Sequence, residues 1–131
     1  MKKTKAIILI LIITVFAALF LTGCGKESIE GEWILVREEL SDGSVMKKDD
    51  LAKMGISEKY VISGTEVKYT LEMESAKKPI NISMKLEEKG DNKYTFIAAN
   101  LDFAEVTLKG DTFSYYTGEG DGRMKMVFER K

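Results

Sequence analysis

Glu66-Val67-Lys68-Tyr69-Thr70-Leu71-Glu72-Met73-Glu74 is the stretch on which the fold turns. Its apolar side chains fall on every second residue and its polar ones on the residues between. That period of two is the mark of a strand with one face in a core and one in water. The next apolar run repeats the pattern: Ile80, Ile82, Met84 and Leu86 alternate with Asn81, Ser83, Lys85 and Glu87. Further strands are expected over 33–40, 59–63, 93–99, 103–109, 112–117 and 123–130, eight in all. Turn-forming residues separate them, among them Ser41-Asp42-Gly43, Gly64-Thr65, Lys89-Gly90-Asp91, Gly110-Asp111 and the run from Gly118 to Gly122.

Short turns fix register, and a slip of one residue would flip a strand. The Gly64-Thr65 turn sets Ile62 opposite Val67 and Tyr60 opposite Tyr69. Gly110-Asp111 sets Leu108 opposite Phe113. A three-residue turn centred on Gly90 would place Leu86 opposite Tyr94, and one centred on Leu101 would place Phe96 opposite Val106. A four-residue loop from Gly118 would place Tyr115 opposite Met124. These registers give a single apolar face from Tyr60 to Phe128, on which tyrosine is the sole ionisable side chain. One segment departs from the pattern: Lys47 to Gly55 reads as a short helix, with Asp49 as N-cap, Gly55 after its end, and Leu51 and Met54 on one face.

Sequential antiparallel strands must bury one face and hide two edges. An up-and-down barrel does both, so an all-β meander of about eight strands closing into a small barrel is the expected fold. A two-sheet sandwich is the alternative.

Composition narrows the chemistry. The 131 residues include 20 Lys plus Arg, 21 Asp plus Glu, no His and one Cys. Without His there is no imidazole base and no His-ligated metal, and one Cys excludes an internal disulfide. A formal charge of −1 offers no general attraction to nucleic acid. Asp49-Asp50 reads as helix-start chemistry, and Glu119-Gly120-Asp121-Gly122 lacks the ligand spacing of a calcium loop. No cofactor is expected, and an enzyme is not.

The N-terminus carries an address. Met1-Lys2-Lys3-Thr4-Lys5 is basic, and the sixteen residues from Ala6 to Leu21 carry no charge. As a helix that run spans about 24 Å, short of the ~30 Å hydrocarbon core and suited to a secretory signal. Leu21-Thr22-Gly23-Cys24 resembles the lipobox of bacterial lipoproteins. The resemblance implies that 1–23 is a cleaved signal peptide and that Cys24 receives a diacylglyceryl group, holding residues 24–30 as a lipidated tether. Localisation would then be the extracytoplasmic face of a bacterial cell membrane, of Gram-positive type. Removing 1–23 leaves 108 residues with 17 basic and 21 acidic side chains, a charge of −4. Such a domain stands off an anionic surface.

Residues 31–131 form the expected barrel domain. Gly31-Glu32-Trp33 is similar to the Gly-x-Trp that opens lipocalins, and a short helix followed by a meander is similar in layout. With Met126-Val127-Phe128 near its end, the chain resembles small bacterial lipoproteins carrying a lipocalin-like domain of uncharacterised function. The resemblance implies that Trp33 closes the barrel base with an arginine packed on it, the matching position being Arg130 ahead of Arg123. The lipocalin C-terminal helix and disulfide cysteines are absent here.

Two uses of the barrel follow. Tyr69, Met84, Tyr94, Phe96, Tyr115 and Met124, with Leu51 and Met54 as a helical gate, would line a cavity for a small apolar or amphipathic ligand; the alternative is that side chains simply fill the interior. On the outside, Ile97, Ala99, Phe103, Tyr116 and Val127 share the solvent face, and Ile97, Phe103 and Tyr116 are candidates for a protein partner surface.

Overall fold

A computed structural model describes residues 28–131, so Cys24, the lipobox and the apolar run from Ala6 lie outside the described residues. The chain forms nine strands: β1 (Gly31–Leu40), β2 (Val45–Lys47), β3 (Ile56–Ser63), β4 (Glu66–Met73), β5 (Ile80–Gly90), β6 (Lys93–Ala98), β7 (Leu101–Lys109), β8 (Thr112–Thr117) and β9 (Met124–Arg130). One helix, α1 (Lys48–Lys53), follows β2. Every neighbouring pair is antiparallel, and pairing of β1 with β9 closes the sheet on itself. The fold is a closed eight-stranded barrel, and the sandwich is excluded. β2 is the extra strand, a three-residue edge hydrogen-bonded to the upper half of β1.

β1 changes partner along its length. Its lower half, Gly31 to Ile34, pairs with β3, and its upper half, Arg37 to Glu39, pairs with β2. Where β1 leaves β3, α1 covers the gap and inserts Leu51, which is buried. The cap of α1 differs from the expected one. Lys47 occupies the N-cap position, its N–H donating 3.0 Å to Oδ2 of Asp50, so Asp49 caps nothing. Gly55 follows the helix at φ 70°, and a Cβ there would meet the Glu74 Cβ at 2.5 Å.

Up-and-down order sends the loops to two ends. The base carries the tight turns 64–65, 91–92 and 110–111, and the rim carries 41–44, 74–79, 99–100 and 118–123. The Tyr60–Tyr69, Ile62–Val67 and Leu108–Phe113 pairs form as the turns require. Three other registers sit two residues from expectation: Leu86 opposes Phe96, Phe96 opposes Ala104, and Tyr115 opposes Met126. The causes are local. β5 runs on to Gly90 through a bulge, Ala99-Asn100 is the β6–β7 turn, and the 118–123 loop is longer by a short 3-10 turn. A two-residue shift keeps parity, so the apolar face survives it.

Bulges decide what faces inward. Phe96 opposes Ala104 while Ile97 opposes Asp102, leaving Phe103 as the extra residue of a bulge. A third bulge, at Val36, changes the parity of β1: Trp33 and Leu35 are interior, yet beyond the bulge Glu38 and Leu40 oppose the inward strand positions Met126 and Met124.

Candidate functional site

The barrel is filled through its middle. Tyr60 is fully buried, and the rings of Tyr69, Phe96, Phe113, Tyr115 and Phe128 have centroids 4.9 to 6.2 Å from its own. Phe113 and Phe128 stack at 4.9 Å and 19°. Burying one such ring contributes on the order of 1.5–3 kcal/mol, and favourable ring pairs add about 0.5–1.5 kcal/mol each. The Tyr60 hydroxyl lies 2.7 Å from that of Tyr115, so neither polar tip is orphaned. Burial holds both phenols well above the usual tyrosine range.

Above this layer the interior is acidic, which corrects the expectation that its only ionisable groups are tyrosines. Glu58 precedes Tyr60 by two residues on the inward face of β3 and is buried. Its Oε1 accepts a hydrogen bond from the Tyr69 hydroxyl. Burial raises the Glu58 pKa, the Tyr69 bond opposes that rise, and the charge of Glu38 adds to it. Burial likewise raises Glu38. Tyr69 is pushed up by burial first and then by the Glu58 carboxylate. No basic side chain enters among these causes.

Of the residues expected to line a cavity, Tyr69, Met84, Tyr94, Phe96 and Tyr115 are buried and belong to one packed cluster. Met124 is half-buried. Leu51 is buried against the barrel, whereas Met54 is 57 % exposed at the helix end and does not gate the interior. A cleft of about 570 Å³ runs along α1 and the upper ends of β3 and β4; Leu35, Leu51, Glu58 and Met73 reach it.

The expected outer patch divides into three. Phe103 and Tyr116 line one groove with Asp102, Glu105 and Arg123, and the Arg123 guanidinium sits 4.0 Å over the Tyr116 ring. The bulge also tips Phe103 toward the mouth, 6.3 Å from the Tyr69 ring, so it does not stand squarely on the outer face. Ile97 and Ala99 line a separate groove with Lys68 and Lys85. Val127, expected outside and exposed, is buried between its ladder partners Arg37 and Ser114. The large apolar residues that stay exposed gather toward the rim: Val45, Met54, Ile80, Leu101, Phe103 and Tyr116.

The base is the opposite of the rim. Arg130 lies 4.3 Å over the Trp33 ring, and its Nη2 donates 2.7 Å to the Ser28 carbonyl while Nη1 donates to that of Glu30. The Trp33 indole N–H donates 2.9 Å to the Ile29 carbonyl. Gly31 stands beneath the guanidinium at φ 132°, where an added Cβ would meet Arg130 Nη1 at 3.0 Å. Gly31, Trp33 and Arg130 are thus a single clamp that straps residues 28–30 across the barrel floor.

Glu58 was legible by parity, since it shares a face with Tyr60, but a strand begun at Lys59 hides it. Glu38 and the tilt of Phe103 depend on bulges that no residue type announces. Among the described residues, no helix is long and apolar enough to cross a membrane, and no three His, Cys, Asp or Glu side chains converge as a metal site would need. No protein-family model matches the chain, and no curated protein matches it in sequence.

Proposed function

We propose that the chain is a non-catalytic interaction module, a small lipocalin-like bacterial lipoprotein held by a diacylglyceryl group on Cys24 at the extracytoplasmic face of the membrane. One observation carries the interaction reading: the interior is filled by rings around Tyr60, while Phe103 and Tyr116 stand exposed in one groove at the rim. A filled barrel has its surface to offer, and clustered exposed apolar side chains are the usual mark of a partner site. The lipobox supports the anchor. The strap adds an orientation: with Ser28 fixed to the base, four residues reach back to Cys24, about 14 Å when extended. The rim then points away from the bilayer.

Two experiments test this reading. Cys24→Ala should abolish incorporation of a fatty-acid label; continued labelling would remove the anchor. Phe103→Asp should abolish recovery of crosslinked protein partners from the cell surface with the fold intact, and unchanged recovery would remove the partner site. A second reading rests on the cleft beside α1, whose apolar floor of Leu35, Leu51 and Met73 suits a small amphipathic ligand better than the packed interior does. Environment-sensitive dyes and extraction of co-purifying lipid test it, and a blank in both counts against it.

A further inference from the structure

The ladder between β7 and β8 is short. Their ladder holds three pairs, Lys109 with Thr112, Leu108 with Phe113 and Thr107 with Ser114, and stops there. Both strands continue: β7 stays paired with β6 as far as Leu101, and β8 with β9 as far as Thr117. The two diverge toward the rim with a groove of about 360 Å³ between them. Along a strand, the N–H and C=O of alternate residues point to the same side. Leu108 N–H donates 2.8 Å to the Asn92 carbonyl, on the β6 side. Thr107 and Glu105 therefore present theirs toward β8, and Glu105 has no β8 residue opposite it in the ladder.

The side chains along this edge have a consistent chemistry. Leu101 is 73 % exposed, and Phe103 and Tyr116 are exposed beside it. Asp102 and Glu105 are exposed on the same stretch of β7; neither has a cation within ion-pair distance among the described residues, although both act at longer range on the Lys89 ammonium and Arg123 shares their groove. Backbone donors and acceptors that a strand presents beyond the end of its ladder, at strand spacing, are satisfied by another extended chain; a helix or a small molecule leaves most of them to water.

We propose that the β7–β8 seam accepts an extended segment of a partner protein, added as a strand to the free edge of β7 and carrying alternate apolar and basic side chains. The backbone supplies the geometry, Leu101 and Phe103 receive the apolar residues, and Asp102 and Glu105 receive the basic ones. This names the partner's chemistry at the surface proposed above and rests on that reading.

The test uses the full chain in detergent micelles and a blocked synthetic peptide of eight residues alternating Val and Lys. Two twins of the peptide are N-methylated on the Val amides or on the Lys amides, so each keeps one hydrogen-bonding edge. The parent peptide should slow exchange of the Glu105 amide at least tenfold, and one twin should bind at least tenfold more weakly than the parent. Glu105→Pro removes the seam-facing donor, which the β6 ladder does not use, together with the carboxylate; it should weaken binding at least tenfold and clearly more than Glu105→Gln, which removes the charge alone. Equal binding by parent and both twins, or no protection at Glu105, overturns the proposal. A dimer formed through β7 and dissolved by Glu105→Pro assigns the edge to a second copy and overturns it as well. If Phe103→Asp loses its partners while the twins and Glu105→Pro change nothing, the interaction reading stands and strand addition falls.

Discussion

The Arg130 guanidinium lies 4.3 Å above the Trp33 ring and reaches past it to the carbonyls of Ser28 and Glu30. The stack fixes the planar fork over the indole, and the fork aims its donors at backbone that would otherwise leave the barrel floor.

Arg130→Ala should destabilise the domain by about 1–3 kcal/mol, because stacking and charge-assisted hydrogen bonds go together. Arg130→Lys should recover little, since an ammonium lacks the planar fork. Urea unfolding measures the loss, and faster amide exchange in 28–30 should accompany it. A wild-type midpoint for either variant would disprove the clamp.

Tyr60→Ala should cost about 3–5 kcal/mol, the toll of an emptied aromatic site. Tyr60→Phe keeps the ring but leaves the buried Tyr115 hydroxyl without its partner, at about 1–3 kcal/mol. Near-ultraviolet circular dichroism and denaturant titration separate the two variants. Equal losses from both would mean that the ring contributes nothing beyond its hydroxyl.

Stability should fall as pH rises through the titration of Glu58. Its folded pKa is raised above the ordinary value of 4.5, so the folded state holds the proton more tightly. The resulting stabilisation is fully present below the unfolded pKa and is lost as pH climbs through the folded one. Glu58→Gln should flatten this slope and narrow the gap between acid and neutral conditions. Urea midpoints taken from about pH 4 to pH 8 check the sign; a wild-type midpoint that rises across the interval contradicts it.

Leu51→Ala should cost about 2–5 kcal/mol, since the side chain is buried where β1 parts from β3. The exposed Met54→Ala, one turn on, should change stability by less than about 0.5 kcal/mol. Thermal denaturation compares them, and equal effects would show that α1 does not seal the wall.

Ala99→Gly should stabilise the β6–β7 turn by up to about 1 kcal/mol. Ala99 sits at φ 51°, a left-handed conformation that costs an alanine roughly 1–2 kcal/mol, offset in part by the added freedom of glycine in the unfolded chain. A lower melting temperature would count against it.

The barrel was readable from residue type because two-residue turns pin parity. Gly64-Thr65 and Gly110-Asp111 fixed their strands, and where the turn lay one residue away from its expected centre or the loop was longer the partners moved by two, which leaves inward residues inward. Closure was readable only as an economy of edges; the β1–β9 ladder that accomplishes it joins the two ends of the sheet and has no local signal. The rim was less legible for a different reason. Glu38 and Phe103 owe their direction to single inserted residues, and an insertion of one reverses parity without altering composition. The seam between β7 and β8 was hidden too, since a perfect hairpin turn gives no sign that its strands will part three pairs later.

The floor strap sets both ends of the described chain side by side: Lys131 N–H donates 2.9 Å to the Glu32 carbonyl, within reach of where Arg130 holds Ser28. A fluorophore or affinity handle appended after Lys131 would therefore emerge at the domain's foot and leave the far crown unobstructed, whichever end is used for immobilisation.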